Sequence, residues 1–337
     1  MADRLADIPR VELTAWPTPL EPLPRFSEAV GAEVWIKRDD IGSLGLVGNK
    51  VRKIEYLAAA AMAEHATTLV TVGAAQSNHV RATASAAARI GLHCVALLGG
   101  YAPATPVGNH LLDLLYGADV RFIGGESWAA LEAALEPACE DLRARGQRPF
   151  PVPMGGSTAT GALGLVRGYL ELRDQLATAG VAATRVIHAS SSGGTQAGLE
   201  VGRALLGGGP LIHGVAVVKT SGELDAEIAA LATEAAAGIG LTRRWDASDL
   251  VLDRGHAGSA YGEPTAESTQ AIRLLARTEG ILADPVYSGK ALAGLIDHVV
   301  ATGDPGPLVF WHTGGTPALF DPRYGLPLAA NGATIDS

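Results

Sequence analysis

Short apolar, β-branched runs alternate with longer alanine-rich stretches of helical period along most of this chain. Thr68-Leu69-Val70-Thr71-Val72-Gly73 has the continuous apolar character of a strand buried on both faces. Residues 93–98, 185–189, 211–218 and 308–312 share it, Glu33-Val34-Trp35-Ile36-Lys37-Arg38 precedes them, and 119–123 and 249–253 add shorter strands. Period 3.6 predicts helices over 50–65, 78–90, 109–116, 162–177, 225–237, 265–278 and 291–300, and one starting at Leu199. Another covers 128–145 with an interruption near Pro137, while 16–20 and 149–153 are extended because proline excludes helix. Strand then helix with short connections predicts an α/β fold with parallel sheets and right-handed crossovers.

Composition narrows the class. With 337 residues there is room for two domains with real cores. A net charge of -9 and no basic stripe argue against nucleic acid or an anionic membrane as partner. Two cysteines, Cys94 and Cys139, form neither a disulfide framework nor a zinc spacing, and are expected to be buried thiols. No apolar run approaches membrane-spanning length and residues 1–10 lack an apolar signal core, so a cytoplasmic protein is expected. Asp39-Asp40 is expected to pair with Lys37 and Arg38 or to cap a turn rather than bind a metal.

Candidate chemistry begins at the helix after Gly48-Asn49. Asn49 is a plausible N-cap, which places Lys50, Arg52 and Lys53 in the first turn, at the end where the helix dipole disfavours cations. Either the side chains fan into solvent or an anion sits among them. A positive neighbour and the dipole both favour a neutral, nucleophilic amine, suited to Schiff-base formation. Lysine is scarce here, the others being Lys37, Lys219 and Lys290.

Two further clusters lie where open α/β sheets bind ligands. Gln76-Ser77-Asn78-His79 opens a helix at the end of a strand, with Ser77 or Asn78 as its cap and Gly91 closing it. Ser190 to Gly198 joins a strand to a helix through Ser-Ser-Ser-Gly-Gly-Thr, an anion cradle that matches neither a Walker loop nor a dinucleotide fingerprint, and reads as a cup for one phosphate. Tyr261 and Tyr287 sit on glycine-flanked loops beside helices.

These pieces together resemble the fold-type-II enzymes that use pyridoxal phosphate, and more closely the D-cysteine desulfhydrase and 1-aminocyclopropane-1-carboxylate deaminase family. The resemblance spans nearly the whole chain. It rests on Ile36-Lys37-Arg38-Asp39-Asp40, Gly48-Asn49-Lys50, Gln76 to Arg81, Ser192-Gly193-Gly194-Thr195, Asp284-Pro285-Val286-Tyr287 and His312-Thr313-Gly314-Gly315. It implies two open, twisted, mostly parallel sheets flanked by helices, as in tryptophan synthase β, with the cofactor in the cleft between domains. On this pattern, residues 1–48 plus 156–337 form a large cofactor domain and 49–155 a small one, with the crossing near Met154-Gly155-Gly156-Ser157.

The resemblance also implies roles. Lys50 matches the lysine that holds the cofactor covalently. Asn78 matches the partner of the pyridoxal 3'-oxygen, and Ser77 with Gln76, Asn78 and His79 the substrate carboxylate site. Lys53 and Ser192 to Thr195 match the phosphate site. Tyr261 and Tyr287 match tyrosines close to the substrate, and no metal is expected. A homodimer follows from the family alone.

Two positions separate the branches. The deaminases carry Glu after Asp-Pro-Val-Tyr and Leu before the last Gly-Gly, whereas this chain has Ser288 and Thr313, as the desulfhydrases do. A hydroxyl holds a pyridine nitrogen protonated less well than a carboxylate, which suffices to expel a good β leaving group. Thr313 is the first choice as nitrogen partner and Ser288 the second. Val47 departs from the Gly expected there. The expected activity is α,β-elimination on a small amino acid, D-cysteine to pyruvate, sulfide and ammonia, with Lys50 or a tyrosine taking the α-proton. Rival substrates are L-cysteate (with Arg81 or His79 near the sulfonate), D-serine, β-chloroalanine and the cyclopropane amino acid. Rivals of another class are a non-catalytic protein that keeps the cofactor fold, and a nicotinamide oxidoreductase, which lacks its fingerprint.

Overall fold

In the computed structural model the described residues are 2–46, 48–124, 127–218 and 222–330. Val47 and Lys219 therefore lie outside them. In chain order the elements are β1 (Leu20–Pro22), α1 (Pro24–Val30), β2 (Val34–Arg38), α2 (Lys50–Ala63), β3 (Thr68–Gly73), α3 (Asn78–Ile90), β4 (His93–Leu98), α4 (Gly108–Leu115), β5 (Asp119–Phe122), α5 (Trp128–Ala133), α6 (Leu135–Ala144) and β6 (Pro149–Val152). There follow α7 (Ala159–Ala179), β7 (Arg185–Ser190), α8 (Gly194–Leu205), β8 (Leu211–Ala216), α9 (Glu223–Gly238), β9 (Val251–Asp253), α10 (Ala266–Glu279), α11 (Ser288–Thr302), β10 (Leu308–His312) and α12 (Pro322–Ala330).

The strands form two sheets. The larger has the order β1-β2-β10-β7-β8-β9 and the smaller β5-β4-β3-β6. All neighbours pair parallel except β1 with β2, an antiparallel edge strand where Pro22 is tolerated. Helices cover both faces, which is why β3 and β10 are buried throughout. Strand order reverses between β7 and β10 in one sheet and between β3 and β6 in the other. The segments that leave β3, β7 and β10 are thus placed at topological switch points, where crevices open.

Several local expectations are revised. The expected helix over 128–145 is two helices meeting at Ala134, and Pro137 does not break it. Pro137 falls in the first turn of α6, where its missing N–H would have no partner anyway. Helix α8 starts at Gly194, five residues before Leu199, so Gly194 and Thr195 form its first turn. Helices α1 and α12 gave little sequence signal: α1 has seven residues, and α12 contains Pro327.

The acid pair and the basic turn also divide differently. Asp40 binds Arg38 as expected, but Asp39 takes Arg52, through Oδ2 to Nε at 2.8 Å and Oδ1 to Nη2 at 2.7 Å. Lys37 pairs with Glu171 instead. Arg52 also reaches Glu171 at 3.0 Å, and the Trp311 indole N–H donates to Asp39 at 2.8 Å. Arg52 thus turns away from the other two cations and locks α2 onto α7 and β10. Burial alone would raise the Asp39 carboxyl, but Arg52 holds it below its usual range.

Candidate active site

Between the two sheets lies a cavity of about 780 Å³. Lys50, Ser77, Asn78, His79, Ser192, Gly193, Thr195, Tyr261, Tyr287 and Thr313 line it. These come from six separate stretches of sequence, and the fold brings them around one cavity. Four residues expected at the site do not line it. Lys53 and Gly194 stand directly behind the wall, while Gln76 and Ser288 are committed elsewhere. Gln76 donates to Val107 O and accepts from Asn109 N, both at 2.9 Å, which fixes the start of α4. The Ser288 hydroxyl donates to Asp284 Oδ1 at 2.6 Å and accepts from Asp284 N at 2.8 Å. Arg81 does not line it either; its guanidinium donates to the Gly45 and Leu46 carbonyls.

Lys50 opens α2, and the preceding residues are held by the last strand's exit. Gly48 bridges Gly314, and Asn49 N donates to Thr313 O at 3.1 Å. A Cβ on Gly48 would come within 3.0 Å of Thr313 O, so the approach requires glycine. Asn49 does not cap α2 with its side chain, as the sequence suggested. Its Nδ2 donates to Thr195 Oγ1 at 2.9 Å, leaving that hydroxyl's hydrogen for another acceptor. Burial lowers the Lys50 pKa to about 8, while Lys53 acts the other way and raises it, so burial and not the positive neighbour expected from the sequence favours the neutral amine. Lys53 is fully buried and lies well below its ordinary range, first through burial and then through Lys50.

The anion cup has a member that the sequence reading missed. Ser157 Oγ donates to Ser192 Oγ at 2.8 Å, accepts from Lys53 Nζ at 3.1 Å and accepts from Gly194 N at 3.3 Å. Lys53 Nζ also donates to Gly155 O at 3.0 Å. The available signal was Gly155-Gly156-Ser157 before a helix, which had been taken only as a crossing. A Cβ on Gly194 would lie 2.8 Å from both Lys53 Nζ and Ser157 Oγ. Glycine there keeps a cradle open between an amine, hydroxyls and the N-terminus of α8, a donor set that suits a phosphate.

On the opposite wall, Ser77 caps α3 by accepting from Val80 N at 3.3 Å. Asn109 Nδ2 donates to Asn78 Oδ1 at 3.0 Å, so Asn78 keeps its Nδ2 donors for the cavity. Thr71 gives its one hydroxyl hydrogen to Val152 O at 3.0 Å and meets His79 Nε2 at 2.9 Å. That pattern assigns the His79 proton to Nε2 and leaves Nδ1 as a buried lone pair without a protein partner. Burial, then Lys50 and Lys53, keeps this ring well below its ordinary pKa and neutral. The Ser190 hydroxyl is likewise buried, unpartnered and on the cavity wall. Unsatisfied polar atoms of this kind fit a polar occupant.

The tyrosine hydroxyls bond each other. Burial pushes Tyr261 up to about 12, partly offset by Tyr287, and Tyr287 stands well above its ordinary value for the same first reason. Both phenols are therefore protonated at neutral pH and act as donors. Asp284 fixes Tyr287 by accepting from its N–H at 2.9 Å. Among the described residues no cluster of His, Cys, Asp and Glu could hold a metal ion, and no helix is long and apolar enough to cross a membrane.

Known proteins place these observations. A D-cysteine desulfhydrase of Klebsiella pneumoniae subsp. pneumoniae is 43% identical over 328 residues, covering 94% of this chain and 97% of that protein. The crystal structure of an ACC deaminase homologue superposes with a TM-score of 0.89 at 37% identity, over 97% of this chain and 98% of the other. The processed threonine deaminase isoform 2 of Solanum lycopersicum shares the fold at a TM-score of 0.65 and 18% identity, over 93% of this chain and 84% of that one. The fold-type-II arrangement expected from the sequence is thus the one observed. The family model for pyridoxal-phosphate dependent enzymes matches residues 11–314, and the chain belongs to that family.

Proposed function

We propose that this enzyme eliminates sulfide from D-cysteine, giving pyruvate and ammonia with uptake of one water. The observation that carries the proposal is the amine of Lys50, lowered to about 8, facing a cavity between a phosphate-type cup and a helix N-terminus. Its 43% identity to a D-cysteine desulfhydrase directs the choice of substrate.

Lys50 would hold the cofactor through its amine, with Lys53, Ser157, Ser192, Gly193, Gly194 and Thr195 around the phosphate. When bound, pyridoxal phosphate supplies an electron sink for the substrate α-carbon. Asn78 Nδ2 would donate to the 3'-oxygen, since Asn109 occupies its carbonyl end. The first N–H groups of α3, beside Ser77, bind the substrate carboxylate. Lys50 is the better acceptor for the α-proton, because a phenol near 12 holds its proton at neutral pH. Of the Tyr261–Tyr287 pair, one hydroxyl hydrogen is held between the two phenols, and the other orients the β-substituent by donation. Thr313 rather than Ser288 would meet the pyridine nitrogen, because Thr313 lines the cavity and Ser288 is committed to Asp284.

A second reading, deamination of the cyclopropane amino acid, is favoured by the solved ACC deaminase homologue. Thr313 and Ser288 stand against it, since neither supplies a carboxylate to the ring nitrogen. The proposal further takes 49–155 as a small domain, which would contain all four strands of the smaller sheet, and the rest as a large one. It takes the enzyme as a cytoplasmic homodimer, consistent with exposed apolar side chains at Tyr101, Leu111, Leu115 and Phe320.

The experiment is a visible spectrum of the purified protein with D-cysteine, L-cysteine, L-cysteate and the cyclopropane amino acid, together with pyruvate assays. Pyruvate from D-cysteine supports the reading. Turnover of cysteate or of the cyclopropane alone would replace the substrate. A cofactor band with no turnover would indicate a binding protein.

A further inference from the structure

We propose that Trp128 is a positioning residue for the tyrosine pair, linking helix α5 to the side of the cavity where Tyr261 and Tyr287 stand; this rests on the role given to those tyrosines above. Trp128 begins α5 and packs at the edge of the apolar cluster that holds Val70, Val72 and Leu131. A purely structural role would end there. Its ring, however, stands edge-to-face on Tyr261, with centroids 4.7 Å apart and planes at 89°. Among the ring pairs of the described residues, this is the one that joins the smaller sheet's layer to the larger one.

Tyr261 needs such a contact. Its loop carries Gly258 and Gly262, both with positive φ, so the local backbone gives the ring little restraint. Its hydroxyl bonds Tyr287, and Trp128 supplies the ring's sideways support. Helix α5 is itself anchored: one turn after Trp128, Glu132 accepts from Met154 N at 2.7 Å. Met154 leads into Gly155 and Ser157, which both bind Lys53. One short helix therefore touches the cup's feeder segment at one end and the phenols at the other. Removing the indole frees the Tyr261 ring and admits water beside it. Water would relieve the burial that raises the pKa of this phenol. Tyr287, Asp284 and Tyr324 also face Tyr261 and remain in place.

The test uses holoenzyme carrying Trp128→Phe, Trp128→Leu or Trp128→Ala. Phe keeps an aromatic edge, Leu keeps apolar volume without one, and Ala keeps neither. The expected result is near-wild-type kcat for Phe and a roughly tenfold fall for Leu and Ala, with the cofactor band unchanged. A second readout needs no substrate: tyrosinate absorbance on alkaline titration, with Tyr261→Phe subtracted to isolate this phenol. Tyr261 should stay protonated to about pH 11 in wild type and the Phe variant, and ionise earlier in Leu and Ala. If the Leu variant keeps the wild-type titration and kcat, the proposal is overturned. If D-cysteine is not turned over at all, the substrate reading fails, and the titration still decides the role of Trp128.

Discussion

Asn49 Nδ2 donates to Thr195 Oγ1 at 2.9 Å across 146 positions of sequence, tying the residue before Lys50 to the phosphate cup. One side chain thus registers Lys50 against the cup that the proposal gives to the cofactor phosphate. Asn49→Ala should weaken cofactor binding about tenfold while leaving thermal stability within about 1 kcal/mol. Equilibrium titration of apo protein with pyridoxal phosphate measures the first, and denaturant unfolding the second. Unchanged affinity would dissociate the two sites.

The role proposed for Lys50 makes cofactor loading depend on pH. The Lys50 amine, lowered to about 8 by burial, must be unprotonated to attack an aldehyde. The rate of cofactor capture by apo protein should rise with pH up to about 8 and then level. A free lysine would keep rising toward its ordinary value near 10.4. Stopped-flow absorbance across that range separates the two. Lys50→Ala should show no covalent band.

Thr313 and Ser288 should part company. Thr313 faces the cavity, so Thr313→Val is expected to lower kcat with little effect on stability. Ser288→Ala removes a buried hydroxyl bound to Asp284 at 2.6 Å, so it should destabilise by about 1–3 kcal/mol. Steady-state kinetics set beside thermal denaturation would reveal the reverse pattern if Ser288 were the ring partner.

The network under α2 should show in acid. Arg52 and Lys37 hold the Glu171 carboxyl below its ordinary value despite burial, as Arg52 holds Asp39. Lowered carboxyl pKa values stabilise the fold above the unfolded pKa near 4 and lose that contribution as pH falls through the folded values. Arg52→Met leaves Asp39 buried without its ion-pair partner, though Trp311 and Thr18 still donate to it, and should cost about 3–5 kcal/mol at neutral pH. It should also flatten the acid limb of stability, as urea unfolding at several pH values would show.

Lys290 is fully buried, its ammonium donating to Ala257 O at 2.6 Å and Val217 O at 3.4 Å. Lys290→Met would leave both carbonyls without that donor and loosen the loop that carries Tyr261. Amide exchange in 255–262 should rise, and kcat should fall, with Lys50 chemistry intact. A fall in stability without faster exchange there would assign Lys290 to packing alone.

Much of this was legible in the sequence because the apolar runs of β3, β7 and β10 lead into polar residues that are chemically specific. The limits of β3 and β4 follow from local pattern alone, which also narrows the cap of α3 to Ser77 or Asn78. What stayed hidden depends on pairing across distance. Nothing local tells Asp39 to prefer Arg52 over Lys37, or Asn49 to cross to Thr195 rather than cap its own helix. Ser157 was hidden for the same reason: its partners come from α2 and from the loop after β7. Ser288 misled because a motif position was read without the Asp284 that claims its hydroxyl.

The Gly48–Gly314 bridge bears on how the molecule comes into being. The lysine helix leaves the ribosome long before the strand exit that holds its entrance is made. Strand β2 likewise waits for β10 to arrive as its parallel neighbour. A nascent chain therefore carries the reactive amine without the seat that orients it. Cofactor capture becomes a step that follows synthesis, and a product cut short before β10 would remain colourless whatever its first 300 or so residues had achieved.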